Sequence, residues 1–288
     1  MPRILIAGCG YVGSATADLF YANGWQVEGW TASADSAAQL SASAPYPIRA
    51  VDLTDPEAVS AAAFPCNAVI QSASSRGGGP ADYRRIYFEG ARNLGHAFPQ
   101  SLLVFTSSTS VYAQTAGEWV TEESAANPSR ETGRILRETE ELVLARNGIV
   151  ARLAGIYGPG RSALLRKFLE GRAVIDPASS RFVNQIHRDD IAAALFLLVR
   201  QRIEQQTARG EIYNVSDHHP LSQRECYEWL AAHLGRPIPP TVEIVGERKR
   251  GNTNKRVSSA KVQALGWCPR YPTFEAAMTE SILPAAGL

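Results

Sequence analysis

Gly8-Cys9-Gly10-Tyr11-Val12-Gly13 has the residue types and spacing to hold a phosphate. Gly8 permits a tight turn, Gly10 lets backbone approach a pyrophosphate, and Gly13 allows a helix to pack closely on a strand, with the phosphates at the helix's positive N-terminus. The competing reading is a purely structural turn. A second group, Thr106-Ser107-Ser108-Thr109-Ser110-Val111-Tyr112, crowds hydroxyls after an apolar run. In a parallel sheet ligands gather at the carboxyl ends of strands, so these hydroxyls sit where a reacting group would be held.

The flanking pattern supplies the elements that must position both groups. Arg3 to Ala7 reads as a strand running directly into the glycine turn, and Ser14 to Phe20 as the helix behind it. Further strands are read at Gln26–Thr31, Ile48–Val51, Ala68–Ser72, Leu102–Phe105 and Gly148–Leu153. Helices are read over 81–97, after Asp55-Pro56, and from Asn127-Pro128-Ser129 to Asn147. This alternation predicts an α/β fold with a parallel sheet. After Gly158-Pro159-Gly160 the alternation loosens, with a strand at Phe182–His187, a helix at Asp189–Val199, a strand at Glu211–Val215 and a capping box at Ser222-Gln223-Arg224-Glu225. Thr241–Val245 reads as a strand, and short helical segments begin at Ser258 and Thr273.

After the second strand, a carboxylate would favour NAD by meeting the ribose hydroxyls. Thr31-Ala32-Ser33 has none, which tilts the reading toward NADP, although Asp35 is close enough to reverse it. Asp52-Leu53 falls where adenine is reached, Ala73 follows the fourth strand, and Trp30 is expected near the adenosine. Arg76 could face phosphate. Gly77-Gly78-Gly79-Pro80 reads as a surface loop or a flap beside the cofactor. The basic stretch Glu247-Arg248-Lys249-Arg250, with Lys255-Arg256 after it, reads as a solvated loop, its alternative role being to hold an anionic substrate group.

The chain has 288 residues, with 29 basic side chains against 28 acidic ones. That balance attracts neither nucleic acid nor an anionic membrane, and a small-molecule substrate is the expected partner. Cys9, Cys66, Cys226 and Cys268 are far apart, which argues against a zinc site or disulfide framework, and no metal is expected. No apolar run approaches the roughly 20 residues needed to span a bilayer, so the expectation is a cytoplasmic protein.

Together the motifs resemble the extended short-chain dehydrogenase/reductase superfamily, the NAD(P)-dependent epimerases and dehydratases acting largely on nucleotide sugars. The resemblance rests on the glycine motif, Asp52-Leu53, Ser107 to Tyr112, Arg152 to Arg161, Ile186 to Ile191, Ile212 to Val215 and Leu265-Gly266-Trp267. It implies a doubly wound parallel sheet forming an NAD(P)-binding Rossmann domain over 1–155 plus about 184–216, and a smaller C-terminal substrate lobe over about 156–183 and 217–288. It also implies Asp52 and Leu53 at the adenine, and Ser108 on the reacting oxygen. A homodimer through the helices beginning near Pro80 and Pro128 is a further partnership it suggests.

Two departures mark the chain as resembling atypical members. Ala7 stands at the first of the family's three glycines, with Gly8 extra. The Tyr/Lys pair is missing, because alignment on Gly133-Arg134 and Glu140 places Thr132 at the Tyr position and Leu136 at the Lys position. An aliphatic hydroxyl is too weak an acid to replace a phenol. The remaining candidates to move a proton are Tyr112, Tyr157, Tyr87, Glu131 and His187, each with a packing or solvated reading beside it. The leading functional reading is an NAD(P)-binding oxidoreductase or epimerase/dehydratase-like enzyme for a polar, sugar-like substrate. The competing reading is a non-catalytic sensor of NAD(P) or a metabolite.

Overall fold

Seven strands of one sheet organise the first part of the molecule. They are β1 (Arg3–Ala7), β2 (Gln26–Thr31), β3 (Ile48–Ala50), β4 (Ala68–Gln71), β5 (Leu102–Ser108), β6 (Ile149–Leu153) and β7 (Glu211–Val215), in the spatial order β7-β6-β5-β4-β1-β2-β3. This computed structural model describes residues 1–75, 77–176, 181–205, 210–243 and 253–288. The pairs β1–β2, β1–β4, β2–β3, β4–β5 and β5–β6 are all parallel. Ile4, Leu5, Ile6, Val69, Ile70 and Val104 are fully buried, as continuous apolar runs covered by helices on both faces must be. The order reverses between β1 and β4, where a doubly wound sheet opens a crevice at its strand ends.

The chain divides into two compact units: Met1–Val111, Ala126–Leu153 and Ile191–Tyr213 in the first, and Tyr112–Ala125, Ala154–Asp190 and Asn214–Leu288 in the second. These bounds differ from the expected ones chiefly at 112–125 and 184–190. The first of these segments is tied to the second unit by Trp119–Val120, which pairs in parallel with Arg256–Val257, and by the Tyr112 hydroxyl at Asn214. The core of that unit gathers Tyr157, Phe168, Tyr227, Leu230, Phe274 and Met278.

Several elements differ from the sequence reading. β5 continues through Ser108, so the hydroxyl stretch is partly strand. The helices Ala34–Ser41 and Ala163–Leu169 were not anticipated; each starts at a serine, Ser33 and Ser162, whose side chain accepts a first-turn N–H. The expected strand over 182–187 is two strands: Phe182–Val183 pairs antiparallel with Leu221–Ser222, and Gln185–His187 pairs parallel with Gly155–Tyr157. They part at Asn184, whose side chain bonds the Lys255 carbonyl and the Val257 nitrogen. In the expected strand at 241–245, Thr241 makes a bridge to Ile175, and residues 244 and 245 lie outside the described residues.

Candidate functional site

The glycine turn is fixed from two sides. The Trp30 carbonyl at the end of β2 accepts from the nitrogens of Gly8 and Cys9, at 3.0 and 2.7 Å, and Ser72 Oγ donates to the Gly8 carbonyl at 2.8 Å. Gly8 has φ +103°, and a Cβ built on it would lie 2.2 Å from the Ala73 nitrogen, so no side chain fits. A Cβ on Gly13 would lie 2.2 Å from the Gly8 carbonyl oxygen, the close helix–strand approach read from sequence. Gly10 differs: a Cβ there would meet nothing within 4 Å. It opens the helix Tyr11–Ala22, whose first turn has neither a side-chain cap nor an acidic residue. Exposed backbone, an uncapped helix start and open space above Gly10 fit the pyrophosphate of a dinucleotide.

The other expected cofactor positions lie in the same unit. Thr31 ends β2, and Ser33 caps the helix in which Asp35 is exposed. Asp52 is exposed and accepts from the Thr54 nitrogen at 2.9 Å, while Leu53 is buried with its carbonyl held by Asn93. Trp30 corrects an expectation. It is fully buried against Phe64 and Phe98 with its indole N–H on Glu28, so its ring lies in the core instead of lining the adenosine site. Arg76 lies outside the described residues, as do Glu247-Arg248-Lys249-Arg250.

Ser108 stands at the end of β5, partly exposed, where Oγ accepts from the Ser110 nitrogen at 3.1 Å and keeps its proton to donate. Its neighbour Ser107 is fastened below. Ser107 Oγ donates to Glu140 at 2.6 Å, Arg152 on β6 grips both oxygens of the same carboxylate at 3.0 and 2.7 Å, and Arg137 adds a further contact. Glu140 and Arg152 are 0% and 1% exposed, so this buried pair ties β5, β6 and the helix Glu131–Leu144 together under the hydroxyl. In that helix Thr132 is partly exposed in the first turn, Glu131 is exposed, and Leu136 is buried in the core.

Tyr87 is a phenol of the first unit held beside the segment that follows β4. Its oxygen accepts from the Ser75 nitrogen at 3.3 Å, two residues beyond Ala73, and its ring packs on Phe105 of β5. It belongs to a π-helical turn, Arg84–Glu89, inside the helical stretch 80–97. Gln71 at the end of β4 donates to the Ile86 and Tyr87 carbonyls at 3.0 and 3.1 Å, filling the acceptors such a turn frees.

Three candidate proton carriers in the second unit are corrected. Tyr112 is fully buried with its hydroxyl between the Thr121 carbonyl and the Asn214 side-chain oxygen, both at 2.9 Å, so it is a structural tie. Tyr157 is 2% exposed, and burial, then the Asp217 and Asp190 carboxylates, push its phenol above the ordinary range. His187 is fully buried, with Nδ1 accepting from the Asp189 nitrogen and Nε2 facing Ser281 Oγ; burial pushes its pKa down to about 4. Lys255 is another correction, since it is buried and not part of a solvated loop. Gln71 and Arg152 were missed as site residues. Each is a polar side chain inside a run otherwise fit for a strand buried on both faces, and that was the signal for a buried partner.

Fold and turn together define an α/β protein of the Rossmann type. The sequence model of the NAD dependent epimerase/dehydratase family matches residues 4–216. Protein YeeZ of Escherichia coli K12 is 31% identical over 255 residues, covering 83% of this chain and 86% of YeeZ. A solved structure from Methylobacillus flagellatus assigned to the NAD-dependent epimerase/dehydratases has TM-score 0.82 and 28% identity, covering 100% of this chain and 99% of that one. UDP-glucose 4-epimerase from Brucella ovis, solved with NAD, shares the fold at TM-score 0.82 and 19% identity, with 100% and 99% covered. The chain belongs to the NAD dependent epimerase/dehydratase family.

Proposed function

We propose that the chain is an NAD(P)-dependent oxidoreductase or epimerase/dehydratase-like enzyme acting on a polar, sugar-like or nucleotide-sugar substrate. The observation that carries this reading is the glycine turn: closed to any side chain at Gly8, open above Gly10 and set on an uncapped helix. In this reading Gly8, Gly10, Tyr11, Val12 and Gly13 hold the pyrophosphate, Thr31, Asp52 and Leu53 the adenosine, and Ala73 the neighbouring wall. The cofactor supplies hydride transfer, and the protein supplies orientation and a route for the proton. Ser108 holds the reacting oxygen with its free O–H. Tyr87 moves the proton in place of the absent pair, because its oxygen accepts from Ser75 and its own proton remains to be given. The missing carboxylate after β2 favours NADP over NAD.

The test begins with calorimetric titration of the protein with NAD⁺, NADH, NADP⁺ and NADPH. One pair is expected to bind, and binding is expected to vanish in Gly10→Trp, which adds bulk to open space without straining the core. Failure of all four to bind sinks the reading. With a nucleotide-sugar panel led by UDP-glucose, Ser108→Ala is expected to lower kcat about 100-fold, the size of a lost transition-state hydrogen-bond donor. Tyr87→Phe is expected to lower kcat while leaving cofactor affinity unchanged. The sensor reading has its own support in Thr132 and buried Leu136 at the catalytic positions. It predicts cofactor binding with no turnover in any variant.

A further inference from the structure

Lys255 lies in the second unit and is 7% exposed. An ammonium carries three N–H donors and no acceptor. One of them reaches the Tyr112 carbonyl at 3.0 Å, and among the described residues neither a second acceptor nor a carboxylate faces the others. The charged side chain whose field reaches it is Arg181, which is of the same sign. Burial, then Arg181, pushes its pKa down to about 8.

The backbone gives this side chain little freedom to escape. Asn184 donates to the Lys255 carbonyl at 2.9 Å and accepts from the Val257 nitrogen at 2.7 Å, clamping the segment on both sides of Arg256. Arg256 itself is occupied, donating to the Gly117 carbonyl at 2.8 Å with its guanidinium over Trp119 and Phe182. A buried cation is ordinarily paired, because taking its charge out of water is costly. Here such a cation is held in place with two donors unspent among the described residues.

We infer that Lys255 is the centre of a binding site for an anionic oxygen group, a carboxylate or a phosphate, carried by the substrate. The anion supplies the missing counter-charge and accepts the two unspent N–H groups. Its assignment to the substrate rests on the enzyme reading above. The site itself does not, since every residue in it belongs to the second unit.

The experiment is isothermal titration of the full chain with malonate, as carboxylate, and inorganic phosphate, at constant ionic strength set with sodium chloride. Wild type is expected to bind at least one of the two. Lys255→Met is expected to weaken that binding tenfold or more, and Lys167→Met, which removes an exposed charge elsewhere, to leave it unchanged. Between pH 8 and 9.5, where both probes keep their charge, wild-type affinity is expected to fall by roughly tenfold as the ammonium loses its proton. This pH series needs no variant and decides the matter if Lys255→Met does not fold. Absence of binding by either anion, unchanged binding in Lys255→Met, or an affinity independent of pH overturns the inference. Dinucleotide titration is a separate measurement, so anion binding without NAD(P) binding would remove the enzyme reading and leave the anion site standing.

Discussion

At the scale of single residues, the site depends on positions where one atom more or less changes the outcome. Gly8→Ala would set a methyl carbon 2.2 Å from the Ala73 nitrogen in a backbone conformation of φ +103°. The expected result is a loss of about 3 kcal/mol in urea unfolding, together with loss of dinucleotide binding. Glu140→Ala removes the carboxylate from beneath Ser107 and leaves Arg152 buried without its partner. A buried charge stripped in this way costs about 3–5 kcal/mol. Urea unfolding should show that drop, and Glu140→Gln, which keeps the oxygen facing Ser107, should lose less.

At the scale of elements, the π turn at Arg84–Glu89 is held by one side chain from β4. Gln71→Met is expected to cost about 1–3 kcal/mol, the desolvation of carbonyls left without donors. It should also loosen Tyr87, read as faster hydrogen exchange along 84–89. The main strands, the glycine turn and the Ser222 capping box were legible in the sequence because each is written in local chemistry: apolar runs, glycine spacing, a serine three residues before a glutamate. What could not be read is long-range pairing. Nothing local to Asn184 says that it parts two strands, nothing near Tyr112 announces Asn214, and Lys255 lies in a polar stretch whose burial comes from elsewhere in the chain. The phenols at 112 and 157 fit the chemistry wanted of them by type alone; only burial separates them from Tyr87.

At the scale of the whole molecule, buried acids set how stability responds to pH. Burial, joined by the Asp190 and Glu275 carboxylates, pushes Asp217 up to about 8, and burial pushes Asp190 up to about 6. The folded chain therefore keeps protons that the unfolded chain has released, and stability falls as pH rises through that window. His187, pushed down to about 4, acts in the opposite direction below about pH 6.5, the ordinary histidine value. Between about pH 6.5 and 7.5 the Asp217 effect stands clear of His187, and nearer pH 8 Lys255, pushed down to about 8, begins to offset it. Thermal melts should show Tm declining across that interval, and Asp217→Asn, which keeps an oxygen for the His219 nitrogen, should flatten the slope. The division into units also bears on synthesis. The chain passes from one unit to the other after residues 111, 125, 153, 190 and 213, so each unit is assembled from three separate stretches. On the ribosome the first unit lacks its last stretch until Tyr213 has emerged, and the stretch 112–125 waits for partners as distant as Arg256. A nascent chain halted between residues 112 and 213 therefore carries unfinished pieces of both units, which makes such intermediates clients for chaperones.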